Sequence, residues 1–246
     1  AYEKAQMALH DTAVHRFMAF GIAGLSVITD SFSAIKYARV TPIRDENGYI
    51  TDFKTEGDFP KFGNDDDSVD FYMSDLIAAF GRVVNARKNP RGGHYMTGLY
   101  SVEDHAKAGM KTAATPDGRL AGMYESNSMA SVQGKDVSGP TALINSVVKT
   151  DLNIATNGMV LDLKFNPSFL QSQAHIDALK MLIDTYFHNG GMEIQFSVVS
   201  RETLLAAQRE PEKYRNLVVR VSGFSAYFRS LNKTTQDEII ARTEYQ

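Results

Sequence analysis

The chain has 246 residues and no cysteine. A disulfide framework, a thiolate metal site and a cysteine nucleophile are therefore excluded within this polypeptide. Excess charge is also lacking. Lys and Arg number 26 against 29 Asp and Glu, and a net charge of −3 gives no electrostatic footprint for nucleic acid. No apolar run is long enough to span a bilayer; the apolar segment 21–28 is soon interrupted by Asp30 and Lys36. No basic stretch followed by an apolar segment and a small-residue cleavage site opens the chain, so no secretory leader is read and a cytoplasmic location is expected. Ala1-Tyr2-Glu3-Lys4-Ala5-Gln6-Met7 already reads as helix without an initiating methionine, which suggests a fragment or one subunit of a split enzyme.

What is present is ordinary for a globular protein: 43% apolar and 22% charged residues, enough for one large domain or part of a larger one. Residues 2–40 are expected to form helix, with Val14, Phe17, Met18 and Ile22 at helical spacing and Thr41-Pro42 as the stop. Asp45–Gly48 reads as a turn and Ile50–Glu56 as a strand. A helix is expected from Ser68, with Phe71, Tyr72, Leu76, Ile77, Phe80 and Val84 on one stripe. After the break at Asn89–Gly93, residues 94–102 look extended. Residues 112–140 are rich in Gly, Ser, Asn, Asp and Pro and read as a long ordered loop, a feature usually functional or closely tied down. Helices are expected from Pro140, over 173–187, from the cap Ser200 to about Arg209, and over 234–242. Strands are expected over 160–165, 193–199 (Ile194, Phe196 and Val198 facing one way) and 217–222. With no repeat and no linker, helices alternating with single strands give an α/β fold whose strands are drawn into one sheet or barrel.

Several residue groups invite a chemical reading and take a plainer one. Asp65-Asp66-Asp67 lacks the spacing, glycine and terminal glutamate of a calcium loop and reads as a solvated turn. The histidines at 10, 15, 94, 105, 175 and 188 show no paired metal-ligand spacing, and no metal is expected on this chain. Ser101, Asp104 and His105 are neighbours in sequence, whereas a serine triad converges from separate loops.

The informative stretch is Val218-Val-Arg-Val-Ser-Gly-Phe-Ser-Ala-Tyr-Phe228, in which an apolar strand runs into a glycine flanked by aromatics. On its own, that glycine fits a tight turn or a bulge. Its neighbours say more: the run Arg-Val-Ser-Gly-Phe resembles the glycyl radical signature, with Phe224 where that family usually has tyrosine. The approach 201–214 (Arg-Glu-Thr-Leu-Leu-Ala-Ala-Gln-Arg-Glu-Pro-Glu-Lys-Tyr) and Thr115-Pro-Asp-Gly-Arg119 also resemble the family. Residues 21–27, Ser33–Ala38 and Pro60-Lys-Phe-Gly-Asn64 are similar to pyruvate formate-lyase.

The resemblance implies the following. The fold would be the C-terminal part of the ten-stranded α/β barrel of glycyl radical enzymes, with residues 1–246 one domain portion and 112–246 the glycine radical domain, its radical loop near 220–228. Gly223 would carry the radical: a hydrogen atom leaves its Cα and the unpaired electron spreads over the adjacent amide nitrogen and carbonyl. That centre must be planar and dry, because oxygen adds to it and cuts the chain. Val218–Val221, Phe224, Tyr227 and Phe228 fit such a closed site, and equally a plain core. No cofactor would be bound by this chain, since a separate activating enzyme using S-adenosylmethionine and an iron–sulfur cluster installs the radical. Turnover would use a cysteine on an N-terminal segment or partner polypeptide, and this chain alone would be inactive. The whole enzyme, expected as a homodimer in anaerobic metabolism, would convert pyruvate and coenzyme A to acetyl-CoA and formate, an acyl transfer. Gly191–Ser200 and Gly139-Pro-Thr-Ala-Leu-Ile144 look more like the diol dehydratase and choline lyase branch, so a dehydratase or C–N lyase stays open. So does a non-catalytic subunit that replaces an oxygen-cleaved radical domain.

Overall fold

A computed structural model describes residues 5–6 and 15–246. Ala5 and Gln6 are helical, while His10, Val14 and most of the expected first helix lie outside the described residues. Phe17–Gly21 corrects the reading there. It is strand β1, parallel to β4 (His94–Gly98), with Phe17 opposite His94 and Gly21 opposite Gly98. A short apolar run fits either period, and a distant partner strand decides between them.

Helix α1 (Leu25–Tyr37) starts after Gly24 and leads into β2 (Arg39–Arg44), which pairs antiparallel with β3 (Ile50–Glu56). Pro42, expected to end a helix, sits inside β2 opposite Phe53. A two-stranded hairpin leaves one edge of each strand unpaired and so tolerates a residue without N–H. The turn between them is as expected, Gly48 N donating to Asp45 O at 3.0 Å.

Helix α2 (Asp67–Asn85) is capped by the Asp66 side chain, which accepts from Ser68 N. It buries Val69, Met73, Ile77 and Val84, whereas Phe71 from the expected stripe is 57% exposed. Beyond β4, Leu99 forms a parallel bridge to Met159, and α3 (Asp104–Gly109) follows. Residues 110–139 hold no helix or strand. Asn64 ties that loop down: its Nδ2 donates to Lys135 O at 2.9 Å and its Oδ1 accepts from Val137 N at 2.8 Å. Helix α4 (Pro140–Val148) begins with Pro in its first turn.

The second half contains β5 (Asp162–Phe165), α5 (Gln173–His188), β6 (Gln195–Val198), α6 (Arg201–Arg209), β7 (Val218–Arg220), β8 (Ser225–Tyr227), α7 (Lys233–Ala241) and β9 (Glu244–Tyr245). Strand β5 is the centre of a parallel sheet ordered β6-β5-β9. All four of its residues are buried, because a strand covered on both faces has no solvent side. Among the described residues the strands form four small sheets. The Leu99–Met159 bridge links the parallel pair β1-β4 to the approach of β5, giving an α/β arrangement that is part of a barrel wall.

The larger apolar core gathers Phe62, Met73, Ile77, Leu99, Leu161, Leu163, Phe165 and Tyr186 around β4 and β5. A second core gathers Val199, Leu204, Ala207, Val219, Val221, Phe228, Ile239 and Ile240 from α6, the β7–β8 hairpin and α7. This second core anchors the hairpin that bears Gly223.

Candidate active site

Strands β7 and β8 pair antiparallel from Val218 opposite Tyr227 to Arg220 opposite Ser225. Val221 N donates to Phe224 O at 2.9 Å, which leaves Ser222 and Gly223 as a two-residue turn. Gly223 has φ +77°, the value required at the second central position of a type II turn. A β-carbon there would meet no atom within 4 Å, so backbone conformation and not crowding selects glycine in this chain. Val219, Val221 and Phe228 are buried, whereas Gly223 is exposed and Val218 and Tyr227 are 53% and 54% exposed. The closed site expected around the glycine is thus built on one side of the hairpin only.

Beneath the hairpin lies a buried polar network. The Arg242 guanidinium, at the end of α7, donates to the carbonyls of Arg220 and Val221. It is held by Glu238, one turn earlier, at 2.8 Å. Glu238 also faces His105 Nε2 at 3.3 Å, and His105 Nδ1 lies 3.0 Å from Ser101 Oγ. Ser101 Oγ reaches Asn127 Oδ1 at 2.9 Å, and Asn127 Nδ2 donates to Asp162 Oδ2 at 2.9 Å and to Val221 O at 3.2 Å. Ser128 Oγ stands 3.0 Å from Ser222 Oγ, on the residue before Gly223. Ser128 adopts φ +51°, uncommon for a residue with a side chain, and is held there by bonds to Ser101, Asn127 and Ser222.

The charges in this network are set by burial and by one another. Burial pushes Asp162 up to about 6 against the pull of Arg242. Burial works against the Glu238 charge as well, but Arg242 and His105 outweigh it and hold that carboxyl well below the usual range. Behind the network the fully buried Lys164 ammonium, pushed down to about 8 by burial, approaches the Ile240 carbonyl at 3.3 Å at the C-terminal end of α7.

Gln195, which the sequence reading passed over, reaches the glycine directly. Its side-chain Oε1 accepts from Gly223 N at 3.2 Å and from Arg220 Nε. Ile194, Phe196 and Val198 share one face of β6 as expected, with Ile194 and Phe196 packed partly buried against the larger core and Val198 44% exposed, while Gln195 and Ser197 are buried on the other face. The polar face of this strand turns toward the hairpin and its network; the regular spacing of Gln195 and Ser197 between apolar residues was the available signal.

The other candidates resolve differently. Lys149 Nζ occupies the acidic group, 2.7, 2.6 and 2.9 Å from Asp65, Asp67 and Asp70, so the Asp65–Asp67 turn is an ion-pair centre rather than simply solvated. Among the described residues no group of three or more His, Asp or Glu could hold a metal ion, and no helix is long and apolar enough to cross a membrane. Ser101, His105 and Glu238 are joined by hydrogen-bond distances, with Glu238 and not Asp104 as third member. However, the serine lies on Nδ1 and the carboxylate on Nε2, the reverse of a hydrolase, and all three side chains are buried.

Two family models match this chain: "Glycine radical" over residues 126–229, which includes the hairpin with Asn127, Ser128 and Asp162 of the network, and "Pyruvate formate lyase-like" over residues 1–109. The PFL-like enzyme TdcE of Escherichia coli (strain K12) is 40% identical over 250 residues, covering 99% of this chain and 33% of that protein. The B12-independent glycerol dehydratase of Clostridium butyricum, solved in a glycerol-bound form, is 38% identical with a TM-score of 0.83, covering 95% of this chain and 31% of that one. Hydroxyproline dehydratase (HypD) of Clostridioides difficile, solved with trans-4-hydroxy-L-proline, is 33% identical with a TM-score of 0.84, covering 96% of this chain and 31% of that one. The chain therefore spans about a third of the length of the relatives it matches. With the fold, the motifs and these matches in agreement, the chain belongs to the glycyl radical enzyme family and corresponds to its C-terminal region.

Proposed function

We propose that Gly223 carries the radical and that residues 112–246 form the glycine radical domain of a larger enzyme. The observation that carries this reading is the hairpin: Gly223 stands exposed at its tip at φ +77°, while the strands behind it are anchored in a core and in a buried charged network. A hydrogen atom leaves the Gly223 Cα when a separate activating enzyme, using S-adenosylmethionine and an iron–sulfur cluster, installs the radical. In turnover the Cα radical takes a hydrogen atom from a cysteine thiol, leaving a thiyl radical that attacks the substrate. Since the chain has no cysteine, that thiol belongs to a segment or partner outside it, which covers the open side of the hairpin.

The reaction proposed first is that of pyruvate formate-lyase, acyl transfer from pyruvate to coenzyme A with release of formate, in an oxygen-sensitive cytoplasmic homodimer. The 40% identity to a PFL-like enzyme supports it. The second reading is a dehydratase or C–N lyase, supported by the 38% and 33% identities to glycerol and hydroxyproline dehydratases. Two adjacent cysteines in the facing segment favour the first, and a single cysteine followed closely by glutamate the second. A non-catalytic replacement subunit is the reading left if the chain is found without any cysteine-bearing partner.

The test is electron spin resonance on the whole enzyme, activated without oxygen, beside its Gly223→Ala variant. The wild type is expected to give a radical doublet that the variant lacks. A doublet persisting in the variant would end the assignment. Formate release from pyruvate and coenzyme A, against aldehyde formation from a diol, then separates the two reactions.

A further inference from the structure

We propose that Gln195 is a positioning residue for the radical glycine: its side-chain carbonyl fixes the amide plane on the N-terminal side of Gly223. The inference rests on the assignment of Gly223 made above. Among the described residues, the hydrogen bond recorded for Gly223 N–H is the one to Gln195 Oε1, at 3.2 Å. The acceptor is itself held firmly. Gln195 is 6% exposed, pairs with Asp162 across β5–β6, and its own N donates to Leu161 O at 2.8 Å.

The orientation of the Gln195 amide is dictated by its surroundings. Two donors, Gly223 N–H and Arg220 Nε–H, converge on one oxygen. Turned over, the amide would aim its NH2 at both. Arg220 is placed in turn by Ser225 Oγ across the hairpin at 3.3 Å. The Gln195 oxygen therefore joins β6 to β7 and to the glycine N–H, and Arg220 carries the connection on to β8. The opposite face of Gly223 has no such restraint within 4 Å of where a side chain would begin.

The consequence follows from the radical's electronic structure. Losing a hydrogen atom flattens Cα, so the torsion about N–Cα must leave +77° if the unpaired electron is to spread into the amide. With N–H held by Gln195, the amide plane stays fixed and the adjustment falls on the Phe224 side. Without that acceptor, the hairpin tip has several ways to flatten, and the electron is shared differently in each. A carboxylate in place of the amide would keep the acceptor and pair with Arg220.

The experiment is electron spin resonance on the full-length enzyme, activated without oxygen, with spectra and yields expressed per folded enzyme. Gln195→Leu is expected to broaden the single spectrum into more than one component and to lower radical yield by about tenfold, the equivalent of one lost hydrogen bond. Gln195→Glu is expected to keep a single component. Gln195→Asn, which pulls the acceptor back by one methylene, is expected to behave like the leucine variant and serves if that one does not fold. A purely structural role would reduce the amount of folded enzyme and leave the line shape alone. Wild-type line shape and yield in the leucine or asparagine variant would overturn the proposal. Gly223→Ala separates the two possible failures: a signal persisting there defeats the radical assignment itself, whereas a silent Gly223→Ala beside an unaltered Gln195 variant defeats only the role of Gln195.

Discussion

Arg242 is the residue on which the hairpin depends most. Its guanidinium meets the carbonyls of Arg220 and Val221 and one buried carboxylate. Arg242→Leu would leave Glu238 as a buried charge whose main partner is gone, at a cost of about 3–5 kcal/mol. The double variant Arg242→Leu/Glu238→Leu should recover part of that loss, and urea unfolding of the two measures the difference. Two neighbours should move stability with pH in opposite senses. Lys164 is pushed down to about 8 from 10.5, so the unfolded chain binds the proton more tightly and stability rises as pH goes from 8 to 10.5, by about 3 kcal/mol in full. Asp162 is pushed up to about 6 from 3.8, so the folded chain binds the proton more tightly and stability falls as pH rises from 3.8 to 6. Lys164→Met should remove the alkaline slope and Asp162→Asn the acidic one, each read from unfolding midpoints across pH. Neither side chain shows its environment in the sequence. Burial of a lysine in a strand reading Asp-Leu-Lys-Phe is decided by flanking strands from distant parts of the chain.

At the scale of elements, close approach is the controlling fact. Helix α3 ends against the loop backbone, and a β-carbon on Gly109 would come within 2.2 Å of Met123 O. Backbone cannot swing aside as a side chain can, so Gly109→Ala should destabilise by about 1–3 kcal/mol or more and loosen residues 123–125, seen as faster amide exchange there. Capping gives a milder expectation. The Ser200 side chain accepts from Thr203 N at 3.1 Å, and Ser200→Ala should cost about 1 kcal/mol, checked by thermal unfolding. The cap at Ser200, the helices from Pro140 and Gln173, the β3 strand and the long loop were all legible, because local chemistry specifies them. Strand β1 was not, since Phe17, Met18 and Ile22 satisfy the helical period while β4 supplies the pairing that prevails. The family was legible from the motif that flanks Gly223. Gln195 was not, because the alternation of β6 marks two faces without saying that the polar one meets the hairpin.

At the scale of the whole molecule, the apolar surface is unevenly covered. Helix α1 exposes Phe32 and Ile35 at 47% and 58%, and β1 exposes Phe17 and Met18 at 64% and 53%. Those side chains, with the open side of the hairpin, are the faces on which the remaining two thirds of a relative's length would sit. The chain made alone should therefore associate at micromolar concentration, as light scattering would record. The clamp on the hairpin has a bearing on how such a protein is made. Arg242, Glu238 and strand β9 all follow Gly223 in the sequence, so a ribosome releases the glycine with Gln195, Asn127 and Ser128 already made but before its Arg242–Glu238 clamp. Until translation has passed Arg242 the Arg220 and Val221 carbonyls lack the guanidinium that holds them. An interrupted chain would present the glycine on a hairpin held from one side only, so the order of synthesis sets when the clamp around that turn is complete.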